Sequence, residues 1–352
     1  MTPSDSFTQD YQAWLKALKA QINRARSRTA LSANRSLIEF YWELGKTLAE
    51  KQAQSQWGDK VIDQVAKDLK REFDSLKGLS ATNLKYCKRF YLFYTSIGQQ
   101  AVDQLAQSKG GPPLSELVKE LPWGHNILIF TKVDTLESAY FYLVQTLTNG
   151  WNREVLALQL KTDLFHRQGA AITNFQDTLP TPHSELAQAT LKDPYIFDFM
   201  ALDKPYREKE LEDQLVGQVS RFLLELGKGF AFMGRQHHLE VAGQDYYLDL
   251  LFYHVVLKCY VVIELKNTRF KPEYAGKLNF YLSAVDSLMK QETDHQTIGI
   301  LLCRDKNNIE VEFALRGLTQ PMGVSEFTLT EILPEELKSS LPTIEEIEQT
   351  LE

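Results

Sequence analysis

Apolar residues recur at helical spacing through the first half of the chain. The pattern starts within residues 8–56 and continues through 58–73, 81–94 and 114–168. Its clearest stripe consists of Tyr11, Trp14, Leu15, Leu18 and Ile22. A polar segment, 99–113, holds two glycines and two prolines and predicts a loop. We therefore predict a mostly helical N-terminal domain over residues 8–173.

The pattern changes after the segment 174–194, which contains three prolines and no convincing periodicity. We interpret this segment as a linker between two domains. After it, alternating helical and strand-like runs occupy residues 207–226, 237–241, 246–254, 259–265, 272–290, 297–303, 309–317 and 324–329. Their order, α-β-β-β-α-β-α-β, predicts an α/β sandwich with a mixed central sheet over residues 195–330. The fold class is thus α+β multidomain, and residues 331–352 are expected to form an acidic helical tail.

Composition narrows the function classes only slightly. The chain of 352 residues suits two domains, and its net charge of −7 disfavours a protein that coats nucleic acid through bulk charge. No apolar run approaches the ~20 residues needed to span a bilayer, and no signal peptide is evident. The three cysteines are widely separated, which argues against a disulfide framework and a zinc site. A cytoplasmic location is expected.

Charged residues interrupt two strongly apolar strand patterns. Asp249 lies in YYLDLLFYH, and Glu264 and Lys266 lie in VVIELKN. A carboxylate within an apolar strand is costly unless it is paired or binds a metal. Glu264 and Lys266 are two positions apart, so both side chains should point to the same face of the sheet, next to the strand of Asp249.

This set of residues fits phosphodiester hydrolysis. The reaction needs an activated water, neutralised phosphate charge and a stabilised leaving oxygen, which divalent ions held by oxygen ligands can supply. We expect Asp249, Glu264 and the backbone carbonyl of Leu265 to bind Mg²⁺, with Mn²⁺ as a substitute. Lys266 would orient or help deprotonate the attacking water, or bind the scissile phosphate.

The spacing L-D249-L and I-E264-L-K266 resembles the PDDEXK nuclease superfamily, which includes restriction endonucleases and archaeal Holliday-junction resolvases. Leu248 stands where that superfamily has proline before the aspartate. The resemblance implies a further carboxylate on the preceding helix, for which we choose Glu212 over Glu208 and Asp213. It also implies polar contacts to nucleic acid from the following helix, where Lys277, Asn279 and Tyr281 lie.

The chain as a whole resembles the YhcG-like family, in which a helical N-terminal domain of unknown function precedes a PDDEXK nuclease domain. The C-terminal phrases that carry this resemblance are FLLELGKGFAFMGRQ, YLDLLFYH, VVIELKN, FKPEYAGKLNFYL and IGILLC. The N-terminal phrases are WELGK, GLSATNLKYCKRFY and LPWGHN.

Residues 58–94 combine a basic character with a helix, a short glycine-containing turn and a second helix that Ser80 precedes. This order is helix-turn-helix-like, and Thr82, Lys85, Lys88 and Arg89 are candidates for nucleic-acid contact. An ordinary helical hairpin with a solvated basic face explains the same pattern equally well.

Other motifs have simpler explanations. Adjacent histidines, His237 and His238, would point to opposite faces of a strand and are interpreted as structural or surface residues. The segment Gly227–Gly234 lacks the ending of a phosphate-binding loop, and Cys87, Cys259 and Cys303 lie in apolar runs typical of a core.

We therefore predict a metal-dependent nuclease, a DNA endonuclease, that binds nucleic acid and no membrane and is a candidate for homodimer formation. The alternatives are a non-catalytic nucleic-acid-binding protein and an interaction subunit of a defence or mobile-element system.

Overall fold

The chain forms two compact units, and the boundary between them lies between Lys161 and Thr162. The computed structural model describes residues 3–55, 60–73, 77–95, 111–197, 199–200 and 207–329. Most of the predicted loop 99–113 and the whole predicted tail 331–352 lie outside these residues. Within the described ranges, no helix combines the length and apolar character that crossing a membrane requires.

The first unit is helical, as its apolar spacing predicts. Its described helices are α1 Pro3–Ser55, α2 Lys60–Glu72, α3 Ala81–Thr95, α4 Leu114–Glu120, α5 Trp123–Lys132, α6 Leu136–Asn149 and α7 Arg153–Lys161. Aromatic rings from α1, α3 and α5 pack edge-to-face or tilted, with Phe90 in contact with Trp42, Trp123 and Phe130. These contacts add to the apolar burial that holds the helices together.

The turn before α3 is built by a buried asparagine. Ser80 accepts a hydrogen bond from the backbone N–H of Asn83 at 3.2 Å, which confirms it as a helix cap. The Asn83 side chain donates to the carbonyl of Gly78 at 2.7 Å and accepts from the indole N–H of Trp123 at 2.6 Å. Gly78 has a φ of +90°, which favours glycine. The segments GLSATN and LPWGHN therefore contact each other in the core of the first unit.

The second unit contains a seven-stranded mixed sheet in the order β1-β7-β6-β5-β4-β3, with β2 also pairing with β7. The strands are β1 Ile172–Thr173, β2 Tyr195–Ile196, β3 Phe230–Val241, β4 Gln244–His254, β5 Cys259–Arg269, β6 Ile298–Asp305 and β7 Met322–Thr328. The helices are α8 Leu164–Arg167, α9 Phe175–Thr178, α10 His183–Thr190, α11 Glu208–Gly217, α12 Val219–Leu226, α13 Pro272–Leu288 and α14 Asn308–Leu315.

Two apolar layers enclose this sheet and confirm the predicted sandwich. On β5, Ile263 and Leu265 belong to a core with α11 and α12, whereas Val262 belongs to a second core with α13 and α14. This alternation follows from the two-residue period of a strand. The order α-β-β-β-α-β-α-β is confirmed, with the predicted helix 207–226 divided into α11 and α12 near Gln218.

The segment predicted as a linker, 174–194, is instead part of the second unit. It contains α9 and α10, the strands on either side of it pair with β7, and Phe175 and Leu191 are buried in the core. The prediction was wrong because two- to eight-residue elements are too short to show a period. A boundary at residue 162 replaces the one placed at 174–194.

A buried ionic network fastens this segment to α12. Glu225 accepts from Arg167 at 2.7 Å and from the backbone N–H of Ile196 at 2.9 Å. The ammonium of Lys192 lies 3.5 Å from the same carboxylate and also contacts its backbone carbonyl. All three charged side chains are more than nine-tenths buried, so each charge depends on its partners.

Candidate active site

The antiparallel pairing of β4 and β5 stops at the predicted site. Regular pairs run from His254 opposite Cys259 to Leu250 opposite Ile263. Asp249 and Glu264 would form the next pair along the ladder. Instead, the Asp249 carboxylate accepts a hydrogen bond from the backbone N–H of Leu265 at 2.9 Å. The side chain of Asp249 thus replaces a ladder hydrogen bond and is fixed between the two strands.

Glu264, Lys266 and Asp249 come together as the sequence predicts. The Lys266 ammonium lies 3.6 Å from the Glu264 carboxylate and 3.8 Å from that of Asp249. Glu264 is only 1% exposed and Lys266 is 8% exposed. Buried charges in this arrangement depend on one another, because each would be costly alone.

A second lysine reaches the cluster from α13. The Lys277 ammonium lies 3.2 Å from the Glu264 carboxylate and 4.9 Å from the centre of the Tyr281 ring. Tyr281 is itself buried and packs near Tyr246, so it supports Lys277 and offers little surface to nucleic acid. The amide oxygen of Asn279 accepts from the backbone N–H of Gln320 at 3.3 Å. Of the three polar residues predicted on α13, Lys277 contacts the carboxylate cluster directly.

The three candidate carboxylates of α11 have different surroundings. Glu208 lies 3.3 Å from the Lys266 ammonium and accepts from the backbone N–H of Asn267 at 3.2 Å. Glu212 is 5% exposed and accepts from the side-chain amide of Gln236 at 2.6 Å. Asp213 pairs with Arg235 at the surface. The first two therefore face the site, and sequence reasoning missed the contribution of Gln236, which lies in the phrase GRQ.

Burial shapes the protonation of the cluster. Burial, with a further contribution from the nearby Asp249 charge, raises the pKa of Glu264 to about 7. Burial also raises the pKa of Glu212, against a lowering effect of the Gln236 hydrogen bond. For Lys266 and Lys277 burial acts downward, but the surrounding carboxylates outweigh it and the pKa of each ammonium is raised. Both lysines therefore keep their charge at neutral pH.

The oxygen atoms of the cluster fit a hard divalent cation. One carboxylate oxygen of Glu264 is buried without a hydrogen-bond partner, and Asp249 lies on the neighbouring strand. The carbonyl of Leu265 accepts from Lys266 at 2.7 Å and would be the third oxygen. Within the described residues, no group of three or more His, Cys, Asp or Glu side chains is arranged to hold a metal. A hard divalent cation such as Mg²⁺ needs only one or two carboxylates and keeps several waters.

The remaining candidates make contacts of their own. His238 pairs with Asp245 at 2.6 Å, and all three cysteines are buried and free, as predicted. In the first unit, Thr82, Lys85 and Arg89 share the exposed face of α3, with Lys85 2.9 Å from Asp63. Arg89 donates to the carbonyl of Thr131 at 3.4 Å, and Lys88 is half-buried.

Each of the two units matches a known protein family model. Residues 188–342 match the YhcG PDDEXK nuclease domain, and residues 17–167 match the DUF1016 N-terminal domain. The Escherichia coli (strain K12) protein named "Putative nuclease YhcG" is 28% identical over 355 residues, which cover 95% of this chain and 93% of that protein.

Solved structures give a weaker likeness. A repair endonuclease from Pyrococcus abyssi aligns at 16% identity and a TM-score of 0.25, covering 37% of this chain and 50% of its own. EndoMS in its apo form aligns at 19% identity and a TM-score of 0.24, covering 38% and 50%. The two domain matches and the near full-length relative confirm the resemblance predicted from the sequence: the chain joins a DUF1016 N-terminal domain to a YhcG PDDEXK nuclease domain.

Proposed function

We propose that the second unit is a Mg²⁺-dependent DNA endonuclease centred on Asp249, Glu264 and Lys266, acting in the cytoplasm. The observation that carries this proposal is the break in β4–β5 pairing, which directs two carboxylates and an ammonium to one point. The nuclease family match supports the reaction class. DNA as the substrate follows from the resemblance to restriction endonucleases and resolvases.

In this proposal Asp249, Glu264 and the Leu265 carbonyl would hold the divalent ion. The ion would neutralise phosphate charge and activate water. The Lys266 ammonium keeps its proton, because the carboxylates around it raise its pKa, so it donates to the scissile phosphate or to the attacking water. Lys277 adds a second positive charge on the side of α13 and is 45% exposed, which leaves it accessible to a phosphate.

The third carboxylate is assigned to Glu212, with Glu208 as its competitor. Glu212 is the more buried of the two and interacts electrostatically with Asp249. Glu208 is more exposed and is bound to the end of β5 through Lys266 and Asn267. A carboxylate near Asp249 adds negative charge on the metal side of the site, whereas one on Lys266 sets the position of the ammonium.

The test is a cleavage assay on supercoiled plasmid, linear duplex, single-stranded DNA and a four-way junction, with Mg²⁺ or with EDTA. We expect Mg²⁺-dependent cleavage of at least one substrate and a loss of at least about a hundredfold in Asp249→Asn. Asp245→Asn is the matched control, because Asp245 lies on the same strand and pairs with a surface histidine. Cleavage that survives EDTA would overturn the metal mechanism, and full activity in Asp249→Asn would overturn the site.

A further inference from the structure

One strand residue beside the site has a backbone conformation that strands do not favour. Four described residues other than glycine have a positive φ: Asp163, Gln236, Ala242 and Lys258. Ala242 and Lys258 lie in turns, and Asp163 lies between two helices. Gln236, with a φ of +45°, lies inside β3. Such a conformation persists where the surroundings impose it, and it is concentrated at functional sites.

The register of β3 places Gln236 beside the proposed metal ligands. The pairing shifts by one residue between Phe232 and Gly234, which marks a β-bulge. Beyond the bulge, Arg235 pairs with Leu250 and His237 pairs with Leu248, so Gln236 stands opposite Asp249. Bulges next to active sites commonly redirect a side chain.

The Gln236 side chain makes a specific contact from this position. Its amide nitrogen donates to the Glu212 carboxylate at 2.6 Å. A carboxylate only accepts hydrogen bonds, so the NH₂ end of the amide must face it. Glu212 is almost completely buried, and this bond restricts its carboxylate to the neighbourhood of Asp249.

We propose that Gln236 is a positioning residue, which holds the Glu212 carboxylate toward the Asp249–Glu264 site by means of the left-handed backbone that Gln236 itself adopts in β3. This inference rests on the proposed function. The neighbouring contact between Arg235 and Asp213 also joins β3 to α11, but it lies at the surface. The contact between Arg235 and Asp213 therefore serves as a matched control, because it joins the same two elements without the proposed role.

Two full-length variants test the proposal. Gln236→Gly removes the amide and suits the backbone, whereas Gln236→Asn tolerates the backbone and keeps an amide one methylene shorter. The measurements are the thermal midpoint, the affinity for Mn²⁺ by calorimetry without DNA, and the cleavage rate. We expect an unchanged or higher midpoint for Gln236→Gly, and in both variants a loss of about 10–100-fold in Mn²⁺ affinity or rate. Asp213→Asn should change the Mn²⁺ affinity by less than about twofold, as expected for an exposed pair.

A double-mutant cycle separates positioning from simple stabilisation. In a Glu212→Gln background, Gln236→Gly should cause no further loss, because the residue acts through Glu212. Two results overturn the inference: both variants retain wild-type Mn²⁺ affinity and rate, or the losses persist undiminished in the Glu212→Gln background. If Asp249→Asn is inactive while the Gln236 variants behave as wild type, only the inference fails. If Asp249→Asn is fully active, the proposed function fails as well.

Discussion

Glu264 has almost no access to solvent, and its ionisation should therefore influence folding stability. Its pKa is raised from 4.5 to about 7, first by burial and then by Asp249. Between these two values the folded chain binds more protons than the unfolded chain. The stability that protonated Glu264 contributes is complete below pH 4.5 and is lost as the pH rises through 7.

The loss of stability with rising pH predicts the behaviour of Glu264→Gln, which lacks the titrating group. In EDTA, we expect the free energy of unfolding of the variant, minus that of the wild type, to increase as the pH rises from 5 to 8. The increase should be about 3 kcal/mol at most. Urea titrations at several pH values measure the difference, and Glu240→Gln on the exposed face of β3 is the control. A difference that stays constant with pH would contradict the assignment.

The residues of the site differ in how far the sequence reveals them. Asp249, Glu264 and Lys266 are predictable because charges stand out within apolar strands. Glu208 and Glu212 are one helical turn apart and share a face, so the sequence alone does not decide which reaches the site. The contact of Gln236 depends on the left-handed backbone of that residue, and the burial of Tyr281 depends on the packing of α13. Neither feature has a signature in the local pattern.

At the scale of elements, the segment Thr162–Ile196 depends on Glu225. Removing this carboxylate would leave Arg167 and Lys192 buried without their partner. We expect Glu225→Ala to lower the free energy of unfolding by about 3–5 kcal/mol. Glu310→Ala removes an exposed ion pair with Arg269 and should cost less than about 1 kcal/mol. Equal effects of the two substitutions in urea titrations would contradict the structural role of the network.

Helix α3 carries the predicted nucleic-acid surface of the first unit. Replacing Lys85, Lys88 and Arg89 with alanine should weaken DNA binding and reduce the slope of log K against log salt by roughly one per lost phosphate contact. The measurement is binding in Ca²⁺ over a salt series. A matched variant replaces three exposed basic residues of α1, Lys16, Lys19 and Arg24. If both triple variants show the same slope as the wild type, α3 is a scaffold and the alternative helical hairpin is correct.

At the scale of the whole molecule, the division at residue 162 makes a prediction about fragments. A fragment 162–352 keeps Arg167, Phe175 and Leu191 with the core they enter, whereas a fragment starting at Asp193 loses them. We expect the longer fragment to unfold cooperatively and the shorter one to be insoluble or without a cooperative transition. Circular dichroism with thermal melting measures this. A stable fragment from Asp193 would instead support a domain boundary within residues 174–194.

The sequence predicts the succession of long elements in both units, because apolar periodicity persists over many residues. It does not predict which strands become neighbours across long stretches of chain. The pairing of β1 and β2 with β7 is of this kind: both strands have two residues and no pattern of their own. Their place is decided by tertiary contacts such as that of Leu191 beside Gly323, where a side chain at position 323 would meet Leu191.

The long-range pairing with β7 has a consequence for the order of folding during synthesis. The three strands of the site, β3 to β5, are consecutive, so their hairpins can form as soon as they leave the ribosome. Asn174, in contrast, donates to the carbonyl of Gln320, 146 residues further along. The sheet is therefore complete only after its last strand has been synthesised. A nascent chain that stops before residue 322 leaves β1 and β2 without their partner strand. Prematurely terminated chains therefore hold the strands of the candidate site in an incomplete sheet.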